Sequence, residues 1–142
     1  MKTLRWSVIL ALVLLGTAPH AARPQPPVAE PRVAIVAAHA LPNVPGQKLT
    51  AVVVTWGPGA KSVSHKHAGS VFAYVLSGSI RSENSATGPA RIYKAGESFF
   101  EPPGSEHVVS ENASATEPAS LLAIFVAEDG ARLTVPAQNP GR

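Results

Sequence analysis

Residues 64–70 read Ser-His-Lys-His-Ala-Gly-Ser, and they hold two of the chain's five histidines, His65 and His67. On a β-strand, residues i and i+2 face the same side. The two imidazoles therefore project together while Lys66 turns away. Each neutral ring carries one donor and one acceptor that need partners. A divalent metal satisfies the acceptors, because imidazole is a common ligand for Zn, Cu, Fe and Ni. A solvated strand pair accounts for His-x-His equally well, so the surrounding sequence has to decide.

The surroundings are β-prone throughout. Short runs recur at Val33–Ala38, Leu49–Trp56, Val63–His67, Val71–Ser77, Ser79–Glu83, Arg91–Tyr93, Ser98–Glu101, His107–Glu111 and Leu121–Ala127. They are broken by Pro42-Asn43-Val44-Pro45-Gly46, Gly57-Pro58-Gly59, Gly78, Thr87-Gly88-Pro89, Ala95-Gly96 and Pro102-Pro103-Gly104, and by the polar loop 112–119. Many short strands with Gly/Pro turns predict an all-β sandwich or barrel. Arg132–Val135 is a candidate edge strand. Neither a solenoid repeat nor a second domain is visible.

Within this pattern Gly59, His65, His67 and Gly78 read G-x5-H-x-H-x10-G, and Gly96, Pro102, Gly104 and His107 read G-x5-P-x-G-x2-H. Together the two segments resemble the paired motifs of the cupin superfamily, over about residues 46–127. The resemblance implies a jelly-roll (double-stranded β-helix) barrel whose two motifs face each other across the interior. It implies His65, His67 and His107 as ligands of a divalent metal, with Fe, Mn, Ni, Cu, Co and Zn all open. His20 and His39 match neither motif.

The sequence departs from the family pattern at one ligand. The first motif usually has a glutamate four residues after its second histidine, and Val71 stands there. Two acidic residues are candidates for the missing role. Glu111 lies four after His107, and even spacing predicts the same face; it is the candidate metal ligand, hydrogen-bond acceptor behind a ligand, or catalytic base. Glu101 precedes the Pro102 turn, across which its facing cannot be read. Glu106 is expected to point away from His107. Val71, Ala73, Val75 and Val109 are expected to line the pocket, with Phe72, Tyr74 and Leu76 on the opposite face. Phe99 and Phe100 read as packing residues.

The N-terminus has its own logic. Met1–Arg5 is positive, Trp6–Leu15 is an apolar run of ten, and small residues follow to Ala22. This order predicts a secretory signal peptide over 1–22; the run is short of the roughly 20 residues that a span requires. Residues 23–31, with four prolines, read as an extended leader. A single cupin domain is expected over 32–135 and a frayed tail over 136–142. Export places the protein in the periplasm or outside the cell, with no stable membrane anchor.

Composition excludes several classes. The absence of cysteine removes disulfides, thiolate ligands and cysteine nucleophiles. The formal charge of +3 falls to +1 once Lys2 and Arg5 leave with the signal, and no basic cluster suggests nucleic acid. A small molecule is the expected partner. The apolar run Val33–Val36 before the barrel suggests strand pairing in a homodimer.

Two functional readings follow. Three neutral ligands leave a metal with open positions, where substrate can bind beside dioxygen in an apolar pocket. This points to a metal-dependent, dioxygenase-like enzyme acting on a small organic substrate. The other reading is a non-catalytic cupin module that holds a metal or a small ligand.

Overall fold

A computed structural model describes residues 30–137. The predicted signal peptide and most of the proline-rich leader lie outside the described residues, as does most of the tail. Ten strands run in order: β1 (Arg32–Ala40), β2 (Gln47–Trp56), β3 (His65–His67), β4 (Ser70–Ser77), β5 (Ser79–Asn84), β6 (Gly88–Lys94), β7 (Ser98–Glu101), β8 (Glu106–Asn112), β9 (Ala119–Glu128) and β10 (Thr134–Pro136). They form two five-stranded antiparallel sheets, ordered β1-β2-β9-β4-β7 and β10-β3-β8-β5-β6. This is the all-β jelly roll that the sequence predicts, with every expected strand present. The expected edge strand is β10, which starts two residues later and ends one residue later than its prediction. Among the described residues no helix is long and apolar enough to cross a membrane.

Alternation decides which face of each strand is buried. On β4, Val71, Ala73 and Val75 are buried while Phe72, Tyr74 and Leu76 are exposed, as the period of two requires. β9 alternates without a break from Ala119 to Ala127 and sends Leu121, Ala123 and Phe125 inward. These residues, with Val52, Trp56 and Ile80, form the apolar core between the sheets. Burial at roughly 25 cal/mol per Å2 of apolar surface stabilises this packing.

The β4–β5 corner explains one motif glycine. Gly78 has φ of 69°, a left-handed conformation that side chains disfavour. A Cβ there would also stand 2.6 Å from the Pro118 carbonyl oxygen. The tight corner carries the chain from the first sheet to the second.

Candidate metal centre

His65 and His67 lie on the three-residue strand β3, held between β10 and β8. His65 is the direct cross-ladder partner of His107 on β8. The three rings therefore meet although the sequence separates them by forty residues. Their centroids are 4.8 Å apart for His65–His67, 5.1 Å for His65–His107 and 6.4 Å for His67–His107. One ligand atom from each lies within 4.8 Å of the others, so the group could hold a metal ion. His67 and His107 are buried and His65 is half-buried.

Hydrogen bonds fix the orientation of each ring. His65 Nδ1 lies 2.7 Å from the Val63 carbonyl oxygen, and His67 Nδ1 lies 3.0 Å from that of Leu133. A carbonyl can only accept, so both Nδ1 atoms carry the hydrogen and donate it. Each Nε2 is left with a lone pair. Thr134 Oγ1, 3.2 Å away, adds a second contact at His67 Nδ1. Thus Leu133, immediately before β10, sets the tautomer of His67, and β10 adds the Thr134 contact. His107 Nε2 is 2.9 Å from Ser82 Oγ. Its Nδ1 faces Glu101 Oε2 at 3.2 Å, and the same oxygen is 3.8 Å from His67 Nε2.

Burial is the largest influence on His65 and His67 and holds both below the ordinary histidine pKa, so they are neutral near pH 7. For Glu101 burial acts in the opposite direction, towards protonation. It is outweighed by the hydrogen bond and charge of His107, the charge of His67 and the Asn84 hydrogen bond, and the carboxyl ends below its ordinary value. Neutral imidazoles beside a carboxylate are the protonation states that metal ligation needs. The donor set fits a divalent ion: His65 and His67 are tied back at Nδ1 and free at Nε2, the usual arrangement of metal-binding histidines, and the Nδ1 of His107 reaches the same site once its proton leaves.

The site opens on a cavity of about 280 Å3. Its walls are mostly apolar: Val52, Val54 and Trp56 from β2, Val71 and Ala73 from β4, and Leu121, Ala123 and Phe125 from β9. Phe99 contributes an aromatic edge, its ring 6.0 Å from His107. Trp56 Nε1–H is buried without a hydrogen-bond partner among the described residues. Among the described residues no lysine or arginine lines the cavity.

Glu111 is placed differently from the expectation. Glu83 pairs with Val109 and Asn84 with His107, so Val108 is an extra residue in β8. This β-bulge inverts the alternation beyond it. Ser110 turns inward beside His107's face, and Glu111 stands opposite Arg81 with an ion pair of 2.9 Å. It does not line the cavity. Glu101 does, at 2% exposure. Glu106 faces away and accepts a hydrogen bond from Ser64. Val75 is buried in the core but, like Val109, is not a wall residue, and Phe100 is exposed. His39 lies exposed on β1. The β2 and β9 wall residues carried no motif; their alternation was the only available signal.

Comparison with known proteins places this geometry. No curated protein matches the sequence significantly. Among solved structures, a Klebsiella pneumoniae protein with a double-stranded β-helix domain is 24% identical, with a TM-score of 0.59 over 81% of this chain and 90% of its own. The DMSP lyase DddQ from Ruegeria pomeroyi is 22% identical, with a TM-score of 0.55 over 66% of this chain and 45% of its own. The Bacillus subtilis oxalate decarboxylase, whose centres hold Mn(II), is 30% identical, with a TM-score of 0.52 over 62% of this chain and 23% of its own. The chain thus spans less than half the length of either enzyme. Residues 52–125 match the family model described as the cupin domain, and with both histidine motifs inside that match, the chain belongs to the cupin family.

Proposed function

We propose that His65, His67 and His107 hold a divalent metal ion and that the exported protein is an enzyme of dioxygenase type acting on a small, largely apolar molecule. The carrying observation is the convergence of three imidazoles, two with Nε2 lone pairs freed by backbone carbonyls, on an apolar cavity. Fe, Mn, Ni, Cu, Co and Zn all accept such ligands. When bound, the metal supplies a Lewis-acidic position where a substrate oxygen and dioxygen can be brought together.

The chain's own residues then define the substrate. The cavity lies near the lower end of the range for small-molecule sites, about 300–1,000 Å3. Its Val, Leu and Phe walls exclude water from the reacting groups. The unpartnered Trp56 Nε1–H offers a hydrogen bond to one acceptor on the substrate. Among the described residues a dianion such as oxalate finds no lysine or arginine in the wall, which argues against carrying the decarboxylase's substrate over with its fold. The titratable wall residues are Glu30, the three histidines and Glu101. That sparse set favours oxygen chemistry over reactions that need a separate general base. It also favours the second reading, a metal- or ligand-holding module without turnover.

Export follows from residues 1–22, and a homodimer from β1. This is an edge strand with Val33, Ile35 and Val36 exposed at 64%, 69% and 58%. A sedimentation run showing only monomer at micromolar concentration removes the dimer. The function is tested with Fe(II)-loaded protein, small diketones, catechols and hydroxyketones, an oxygen electrode and 18O2 mass spectrometry. Oxygen uptake with 18O in the product supports the enzyme. Thermal shifts without oxygen uptake or product support the binding module.

A further inference from the structure

The carboxylate absent from position 71 stands on the neighbouring strand. Val71 on β4 is the direct cross-ladder partner of Glu101 on β7. Opposite residues of an antiparallel pair share a face, with Cβ atoms about 4.5–5.5 Å apart. Val71 and Glu101 are both buried, and both line the cavity. We propose that Glu101 is a fourth protein ligand of the metal, so that the carboxylate which the family motif places on β4 is delivered here from β7. This rests on the three-histidine metal reading above.

Distance is the first support. Glu101 Oε2 lies 3.2 Å from His107 Nδ1 and 3.8 Å from His67 Nε2. Neighbouring donors on one ion with bonds of about 2.1 Å are themselves about 3.0–3.4 Å apart.

Hydrogen-bond polarity is the second. His67 Nδ1–H is committed to the Leu133 carbonyl, so His67 Nε2 directs a lone pair at the carboxylate oxygen. Ser82 occupies the Nε2 side of His107. His67 Nε2 and Glu101 Oε2 are thus two acceptors facing each other at 3.8 Å, and a cation between them satisfies both. Charge is the third support. Among the described residues no lysine or arginine lines the cavity, and the partners of the carboxylate are His107 Nδ1 at 3.2 Å and the neutral Asn84, whose Nδ2 donates to Oε2 at 3.2 Å. A buried carboxylate is costly without a positive charge beside it, and a divalent ion supplies one. Asn84 is itself anchored, by the Ala86 amide and by Ser105 Oγ, and so fixes the direction in which Glu101 points.

A three-nitrogen, one-oxygen set is harder than three nitrogens alone and raises affinity most for oxygen-preferring metals such as Mn(II). That separates a ligand from a residue that merely orients His107. The experiment titrates Mn(II) and Ni(II) against the metal-free full chain, as wild type, Glu101→Gln and the exchanged pair Val71→Glu/Glu101→Val. Circular dichroism of each metal-free protein checks the fold. The expected result is a loss of Mn(II) affinity of roughly 100-fold or more in Glu101→Gln, beyond the about 10–100-fold that losing a partner of a ligand costs. Ni(II) affinity falls much less, and the exchanged pair recovers most of the Mn(II) binding. Equal losses for the two metals, or an unchanged Mn(II) affinity, overturn the proposal while leaving the histidine site standing. Failure of the wild type to bind either metal removes both readings together.

Discussion

His65 and His107 stand directly opposite each other across the β3–β8 ladder, with ring centroids 5.1 Å apart. This pairing turns two sequence motifs into one site. His67 joins because it shares the face of His65, and Glu101 arrives by the same cross-strand logic opposite Val71. The centre is therefore specified by register. A one-residue slip in either ladder would turn a ligand outward.

The contact between Ser82 and His107 makes Ser82 a positioning residue. Glu101 Oε2 can only accept and takes the Nδ1–H of His107 in the metal-free protein, so Ser82 Oγ–H donates to His107 Nε2. Ser82→Ala leaves that buried acceptor without a partner, which costs about 1–3 kcal/mol of stability. Metal affinity should fall by about 10–100-fold, and Ser82→Thr should recover much of it. Competition titration with a chromophoric chelator measures both variants; unchanged affinity in Ser82→Ala would show that the contact is incidental.

Acid should destabilise the metal-free protein. Burial holds His65 and His67 below 6.5 in the folded state. As pH falls below about 6.5 the unfolded chain binds protons that the folded chain refuses, and stability declines. Glu101 acts with the same sign at lower pH. Its carboxyl is held below 4.5, so its contribution is present above that value and is lost as pH falls through the folded pKa. Urea unfolding in the presence of a chelator, from pH 8 to pH 4, should show the decline beginning between pH 7 and 6. A flat profile down to pH 5 would contradict it.

Gly78→Ala should destabilise the barrel without touching the site. The left-handed φ of 69° and the 2.6 Å approach of a Cβ to the Pro118 carbonyl act together. Strain of this kind costs on the order of 1–3 kcal/mol. Thermal unfolding should register the loss while metal stoichiometry stays as in the wild type; equal stability would mean that the corner relaxes freely.

The fold was legible because alternation and turn chemistry agree along the chain. Val71, Ala73 and Val75 fall on the buried face by period alone, and Gly78 falls where the corner needs it. The cluster of three histidines was legible from the resemblance of the two segments to the cupin motifs. Glu111 was misplaced because a bulge at Val108 leaves no mark in the sequence, yet reverses every side chain beyond it. Glu101 could not be assigned a face because the Pro102 turn interrupts the count. Its position became clear only from the β4–β7 register, which is a tertiary fact. The role of β10 at His67 likewise depends on two segments distant in the chain.

The central claim is a histidine-held metal, and elemental analysis tests it most directly. The full chain, expressed with residues 1–22 and purified from the exported fraction without a histidine tag, is compared with His65→Ala/His107→Ala. The account predicts about one divalent metal per chain in the wild type and almost none in the double variant. A wild type that carries no metal, and takes up none when offered Fe(II), Mn, Co, Ni, Cu or Zn, would contradict it.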